Sequence, residues 1–185
     1  MAFSLTPLAI QVYLVLWISS FVDSGYLESE EVSKKLIAKL SMLSVVFLLP
    51  LIPLVGKAVD KVSHNIMIPI AFFIRMIMSL LMVFWVKVPD QWELTFVIVG
   101  LTVATAVEHV SILGLFTKSL PSDARGASMG VLHFFTQLGQ LIFTRFAIVL
   151  VNNYGTKSPF FCIACADALV VVLGVGLACC GKMKS

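Results

Sequence analysis

The segment from Leu120 to Phe143, "LPSDARGASMGVLHFFTQLGQLIF", sets a short polar hinge against a long apolar run. Pro121 cannot continue a preceding helix, because it lacks an N–H and its ring clashes with the turn before it. Ser122 or Asp123 caps the next helix by accepting from its free N–H groups, and the Asp123 carboxylate also suits the positive end of the helix dipole. Gly126 and Gly130 stand four apart, a spacing that lets another helix approach closely. Arg125 places a fixed positive charge beside them. The segment therefore stops one helix, starts another and marks the membrane boundary between them.

The rest of the chain agrees with that reading. Of its 185 residues 59% are hydrophobic and 12% charged, against about 25% charged in a soluble domain, and the mean hydropathy is +1.03. A helix needs about 20 mostly apolar residues to cross a hydrocarbon layer of about 30 Å. Six stretches meet that need, at about 5–22, 36–56, 66–86, 92–116, 126–151 and 158–181. The expected fold is an all-α membrane protein, with residues 1–185 forming a single six-helix transmembrane domain. The longest connection, around 23–35, is expected to be a surface loop, so function must reside in the bilayer.

The first apolar run has no Lys or Arg before it and no small-residue cleavage pattern, and it carries Gln11 and Trp17, so it reads as a span rather than a signal peptide. Cys162 and Cys165 fall inside the last apolar helix, where a redox or zinc pair would lack the polar, accessible setting it requires. They read as packing residues. Cys179 and Cys180, beside Lys182 and Lys184, form a weak acylation candidate. No N-x-S/T sequon occurs.

Six spans put both chain ends on one side. Lys57, Lys61, Lys118, Arg125, Lys182 and Lys184 then share the side of the termini, while Lys34, Lys35, Lys87 and Lys157 lie opposite. Basic residues collect on the cytoplasmic face, so the termini are expected on the cytoplasmic or equivalent inner side. Acidic residues lean the same way, with Asp23, Glu28, Glu30, Glu31, Asp90 and Glu93 outside and only Asp60 and Asp123 inside.

Pro121, Arg125-Gly126, Gly130 and Gln137-Leu138-Gly139 together resemble the start of the fifth or eleventh helix of the major facilitator superfamily. One inner connection earlier, "GKAVDKVSHN" resembles that family's loop signature. Gly56 and Asp60 match it and Lys61 stands for its Arg, whereas Ser63, His64 and Asn65 depart from it. The resemblance implies that Gly56, Asp60, Lys61, Pro121, Arg125, Gly126 and Gly130 belong to gating connections. It also implies two inverted three-helix repeats, with the first, second, fourth and fifth helices near a central cavity and the third and sixth outside. The family has twelve helices in two halves. This chain has one half, more like the C-terminal one.

Polar groups inside spans are costly and are read as functional unless they find partners. His133, Gln137, Gln140 and Thr144 recur at helical spacing and mark one face of the fifth helix, for a solute or proton path or for glue between helices. Glu108 and His109 lie about 12 Å from the inner end of the fourth helix, at the depth of His133, so Glu108 is expected to pair with His133 in a proton-coupling couple or a structural contact. Arg75 and Asp167 lie near the middle of peripheral helices, where an unpaired charge would face lipid. They are expected to pair with each other or with another protein. Tyr13, Trp17, Ser20 and Ser24 share a face of the first helix that reads as packing. Arg145 reaches outward, and Pro50, Pro53 and Pro69 are expected to kink their helices.

No nucleophile elbow, metal-ligand cluster or phosphate-cradling loop supports an enzyme, and no filter-like loop supports a channel. No catalytic residue, metal, cofactor or nucleic-acid partner is expected. The expected function is secondary transport of a small solute by alternating access, with proton coupling as an option. The chain would then need a second six-helix half, from a homodimer or a separate chain. The alternative is a transport-inactive subunit of a larger membrane complex. The sequence does not choose among plasma and organellar membranes, the mitochondrial inner membrane included.

Overall fold

A computed structural model describes residues 5–62, 64–89, 92–121 and 125–179. Six helices follow one another: α1 (Leu5–Asp23), α2 (Glu30–Lys61), α3 (His64–Phe84), α4 (Trp92–Ser119), α5 (Arg125–Tyr154) and α6 (Ser158–Cys179). Of these, α2 to α6 are long and apolar enough to cross a bilayer, and the apolar part of α1 with described side chains, Val12–Asp23, is shorter.

The boundaries correct the sequence reading at α2. Residues 30–35, expected in a loop, are its first turns. The Ser29 side chain accepts from the Val32 N–H at 3.4 Å, and Glu30 and Glu31 stand in the first turn, where the dipole favours them. Lys34 and Lys35 then pair with these carboxylates one turn back, at 3.2 and 3.1 Å. At the other end α2 runs on through Gly56 and Lys61, so the Gly56–Lys61 signature is helical rather than a loop, and Val62 caps it. The helix continues through Pro50 and Pro53, as α3 does through Pro69. Gly25 and Gly155, with φ of 75° and 91°, take the left-handed conformation that ends α1 and α5.

Packing centres on α3, which lies along both α4 and α6, while α2 packs on α4 and α5 touches α1 and α6 more lightly. The buried core gathers at the end bearing the α1–α2, α3–α4 and α5–α6 connections, and includes Tyr13, Trp17, Leu40, Val86, Leu94 and Phe160. There Lys157 donates to the carbonyls of Val83, at 3.3 Å, and Val86, and its ammonium lies 5.5 Å from the Trp17 ring centre. Burial and the charge of Lys87 push this ammonium below the usual lysine pKa. Even so, it ties the end of α3 and the connection after it to the start of α6.

Close approach of α3 and α6 depends on Gly174, where an added Cβ would lie 3.2 Å from the rigid Pro69 ring. At Gly126 and Gly130, expected to receive a neighbouring helix, an added Cβ would meet none of the described residues within 4 Å. A test follows from that contrast. Gly174→Val should lower unfolding stability by about 1–3 kcal/mol through overpacking. Gly176→Val, facing open space, should stay within about 0.5 kcal/mol of the parent in the same detergent unfolding titration. Equal losses would contradict the packing described.

Candidate functional site

Two faces of α4 carry polar side chains. Residues Ala104, Glu108 and Ser111, spaced by four and three, turn toward the helix bundle and are buried. Thr102, Thr105 and His109, spaced by three and four, line a cavity on the other face.

On the buried side Arg75 of α3 reaches both neighbours. Its Nε donates to Asp167 Oδ2 of α6 at 2.8 Å, one terminal nitrogen donates to Asp167 Oδ1, and the other donates to Glu108 Oε2 of α4. The guanidinium is thus shared between a forked carboxylate and a single oxygen, a geometry its planar donors favour. Its carbon lies 4.6 Å from the centre of the Phe72 ring, an added favourable contact for a cation. Arg75, Glu108 and Asp167 are each 1% exposed, so the charges compensate one another rather than being solvated. Glu108 Oε1, Ser79 Oγ and Ser111 Oγ are buried with no hydrogen-bond partner among the described residues.

The cluster joins Arg75 to Asp167 and corrects the expectation for Glu108. Its partner is Arg75, because the Glu108 side of α4 faces α3, and His133 is exposed on α5. The α5 stripe divides along its length. His133 and Gln137 are exposed, whereas Gln140 and Thr144 are half-buried, with Thr144 donating to the Gln140 carbonyl at 2.8 Å. The Thr144 carbonyl in turn accepts from Tyr13 Oη at 3.2 Å. Tyr13 and Trp17 are core residues, and Ser20 and Ser24 donate to carbonyls of α1, those of Trp17 and Phe21.

The gating candidates lie at the other end. Pro121 and Arg125 are exposed, with Arg125 Nε donating to the Leu120 carbonyl at 3.1 Å, which clips the start of α5 to the end of α4. Gly126, Gly130 and Lys61 are exposed and Gly56 is half-buried. The caps assigned to Ser122 and Asp123, and the Cys180, Lys182 and Lys184 group, lie outside the described residues, as do the side chains of Asp60 and Cys179. Arg145 is exposed.

The cavity, of about 570 Å³, lies between α1, α2 and α4. Its polar lining comprises Ser41, Ser44, Thr102, Thr105 and His109, among aliphatic side chains. Of these only His109 was singled out from the sequence. The hydroxyls carried a readable signal: Ser41 and Ser44, like Thr102 and Thr105, stand three apart on a helix face within an apolar span.

Removing the cation alone leaves two buried carboxylates facing each other. Arg75→Gln should therefore cost about 3–5 kcal/mol, and Arg75→Met with Glu108→Leu and Asp167→Leu together should cost less, because no charge is left unpaired. Unfolding in a detergent titration measures both. A single variant as stable as the parent would contradict the cluster.

No curated protein and no solved structure matched the chain. The family model of the Major Facilitator Superfamily matches residues 2–178, nearly all of a chain whose helices are those of an integral, multi-pass membrane protein. The chain belongs to the Major Facilitator Superfamily, a family of membrane transporters.

Proposed function

We propose that the chain is one six-helix half of a secondary transporter, working by alternating access against a second half that is another copy or a separate six-helix chain. One observation carries this reading. His109, His133 and Gln137 are exposed at membrane depth, on α4 beside the cavity and on α5. Lipid offers no hydrogen bonds to such groups. A second half covers them and encloses a watery path at the same time. Gly126 and Gly130, where an added Cβ would meet none of the described residues, give that half a close seat.

The helix neighbours support two inverted three-helix repeats, α1–α3 and α4–α6. Exchanging the repeats turns the α2–α4 contact into α5–α1, and both contacts occur. Such repeats place transport sites near the midplane. The termini lie on the inner side, by the distribution of Lys and Arg.

Transport is coupled to protons through the Arg75 cluster. One cation faces two carboxylates there, leaving a surplus negative charge that a bound proton removes. Glu108 carries that proton, since its Oε1 is the carboxylate oxygen left unpaired. Among the described residues, the charged groups facing Glu108 are Arg75 from α3 and Asp167 from α6. The described Lys and Glu side chains of α2 are exposed near its ends.

The departures at Ser63, His64 and Asn65 favour a second reading, a subunit that no longer transports and serves a larger complex. Native mass spectrometry of a mild detergent extract separates the two. A homodimer, or a pair with one other six-helix chain, is expected. A lone chain, or many unrelated subunits, would contradict the half-transporter.

The coupling has its own test in proteoliposomes of the assembled pair, with an internal pH dye and a solute found by screening. Glu108→Gln, which mimics the protonated acid, should keep solute exchange and lose accumulation driven by a pH gradient by tenfold or more, about 1.4 kcal/mol of driving force or above. Gln137→Ala should abolish uptake at unchanged protein level. Accumulation unaffected by both changes would refute the site assignment.

A further inference from the structure

The walls of the α1–α2–α4 cavity carry information about what enters it. Among the described residues its lining holds no carboxylate, guanidinium or lysine, and His109 is the one ionisable side chain. Aliphatic groups such as Leu14, Ile37 and Ile98 form most of the surface. An ionised group placed there would shed hydration without meeting a counter-charge.

The hydroxyls are directional. Ser44 Oγ donates to the Leu40 carbonyl at 2.9 Å, Thr102 Oγ1 to the Ile98 carbonyl at 2.7 Å, and Thr105 Oγ1 to the Leu101 carbonyl at 2.8 Å. A hydroxyl has one proton to donate and two lone pairs to accept with. With the proton committed one turn back, three of the four lining hydroxyls present acceptors to the cavity. Thr102 and Ser44, 3.5 Å apart, bring two of them together across α4 and α2. The volume of about 570 Å³ falls within the range of about 300–1,000 Å³ usual for small-molecule sites.

We infer that the solute is uncharged, with a largely apolar body and at least one hydrogen-bond donor, a hydroxyl or an amide N–H, which Ser44, Thr102 and Thr105 accept. As the identity of a transported solute this rests on the transporter reading. As a binding property of the cavity it is tested separately.

The test uses the full chain in lipid nanodiscs and four probes of one shape: 2-(2-naphthyl)ethanol, its methyl ether, 2-naphthylacetate and 2-naphthylethyltrimethylammonium. Equilibrium dialysis with empty nanodiscs subtracted gives the bound amount of each. The alcohol should bind saturably, about tenfold more tightly than the ether that lacks the donor. Neither ion should bind saturably. Ser44→Ala and Thr105→Val should each reduce the preference for alcohol over ether toward one, while Ser20→Ala, on a hydroxyl that does not line the cavity, should leave it unchanged.

Several results would overturn the inference. An ion that binds as well as the alcohol would do so, as would the absence of saturable alcohol binding or a preference that survives both cavity variants. Equal binding of alcohol and ether would instead make the cavity a seat for lipid acyl chains. Donor-selective binding by a protein that native mass spectrometry finds alone would sink the half-transporter reading and leave the solute class standing.

Discussion

Arg75 cannot face lipid, and the arrangement of the helices around it follows from that constraint. An arginine in the middle of a span stays in hydrocarbon only when its charge and donors are matched by protein. Here Asp167 supplies a forked partner from α6 and Glu108 a second from α4. Three helices are thereby brought to one point, and the register of each is set by the residue that reaches it. Glycine and proline adapt the backbones nearby, with Gly174 against Pro69 between α6 and α3, and Gly100 against Met78 between α4 and α3. The cluster is weak evidence for stability as such, since burying charges costs much of what their attraction returns. Its stronger consequence is specificity of packing, together with a surplus acid in the membrane interior.

The orientation of α4 follows from the same contact. Once Glu108 is turned to α3, the adjacent His109 must point elsewhere, because successive residues on a helix stand about 100° apart. His109 therefore joins Thr102 and Thr105 at the cavity. One helix carries the buried charge on one face and lines the cavity with another. A change of protonation at Glu108 would be felt across the thickness of a single helix.

Much of this was legible in the sequence. Six helices follow from six apolar stretches of spanning length, and the Arg75–Asp167 contact is one of the two outcomes, beside a contact with another protein, open to charges that cannot face lipid. The partner of Glu108 was misread because equal depth on two helices fixes only the axial coordinate. Whether Glu108 or His109 turns inward depends on helix rotation, which an apolar span with residues of similar hydropathy all round does not encode. The first turn of α2 was misread as loop because Glu30, Glu31, Lys34 and Lys35 look like solvated charge, although they form two pairs one turn apart behind the Ser29 cap. Basic side chains at that end of the bundle are engaged as well. Lys34 and Lys35 are paired locally, and Lys157 donates to the carbonyls of Val83 and Val86.

What the bundle leaves exposed is the first half of the polar face of α5. Its lower turns show His133 and Gln137 outward, whereas the lipid-suited surfaces of α3 and α6 expose Ile70, Phe73, Leu169 and Leu173. The account stands or falls on what covers Gln137. A spin label placed by Gln137→Cys, in a protein whose native cysteines are replaced and which is held in bilayers, reports that directly through its collisions with dissolved oxygen and with a water-soluble nickel chelate. The account predicts much less oxygen access than at a Leu173→Cys label, with shielding by protein or access to the chelate from a watery path. Oxygen access equal to that of the Leu173 site, without chelate access, would place Gln137 in lipid and contradict it.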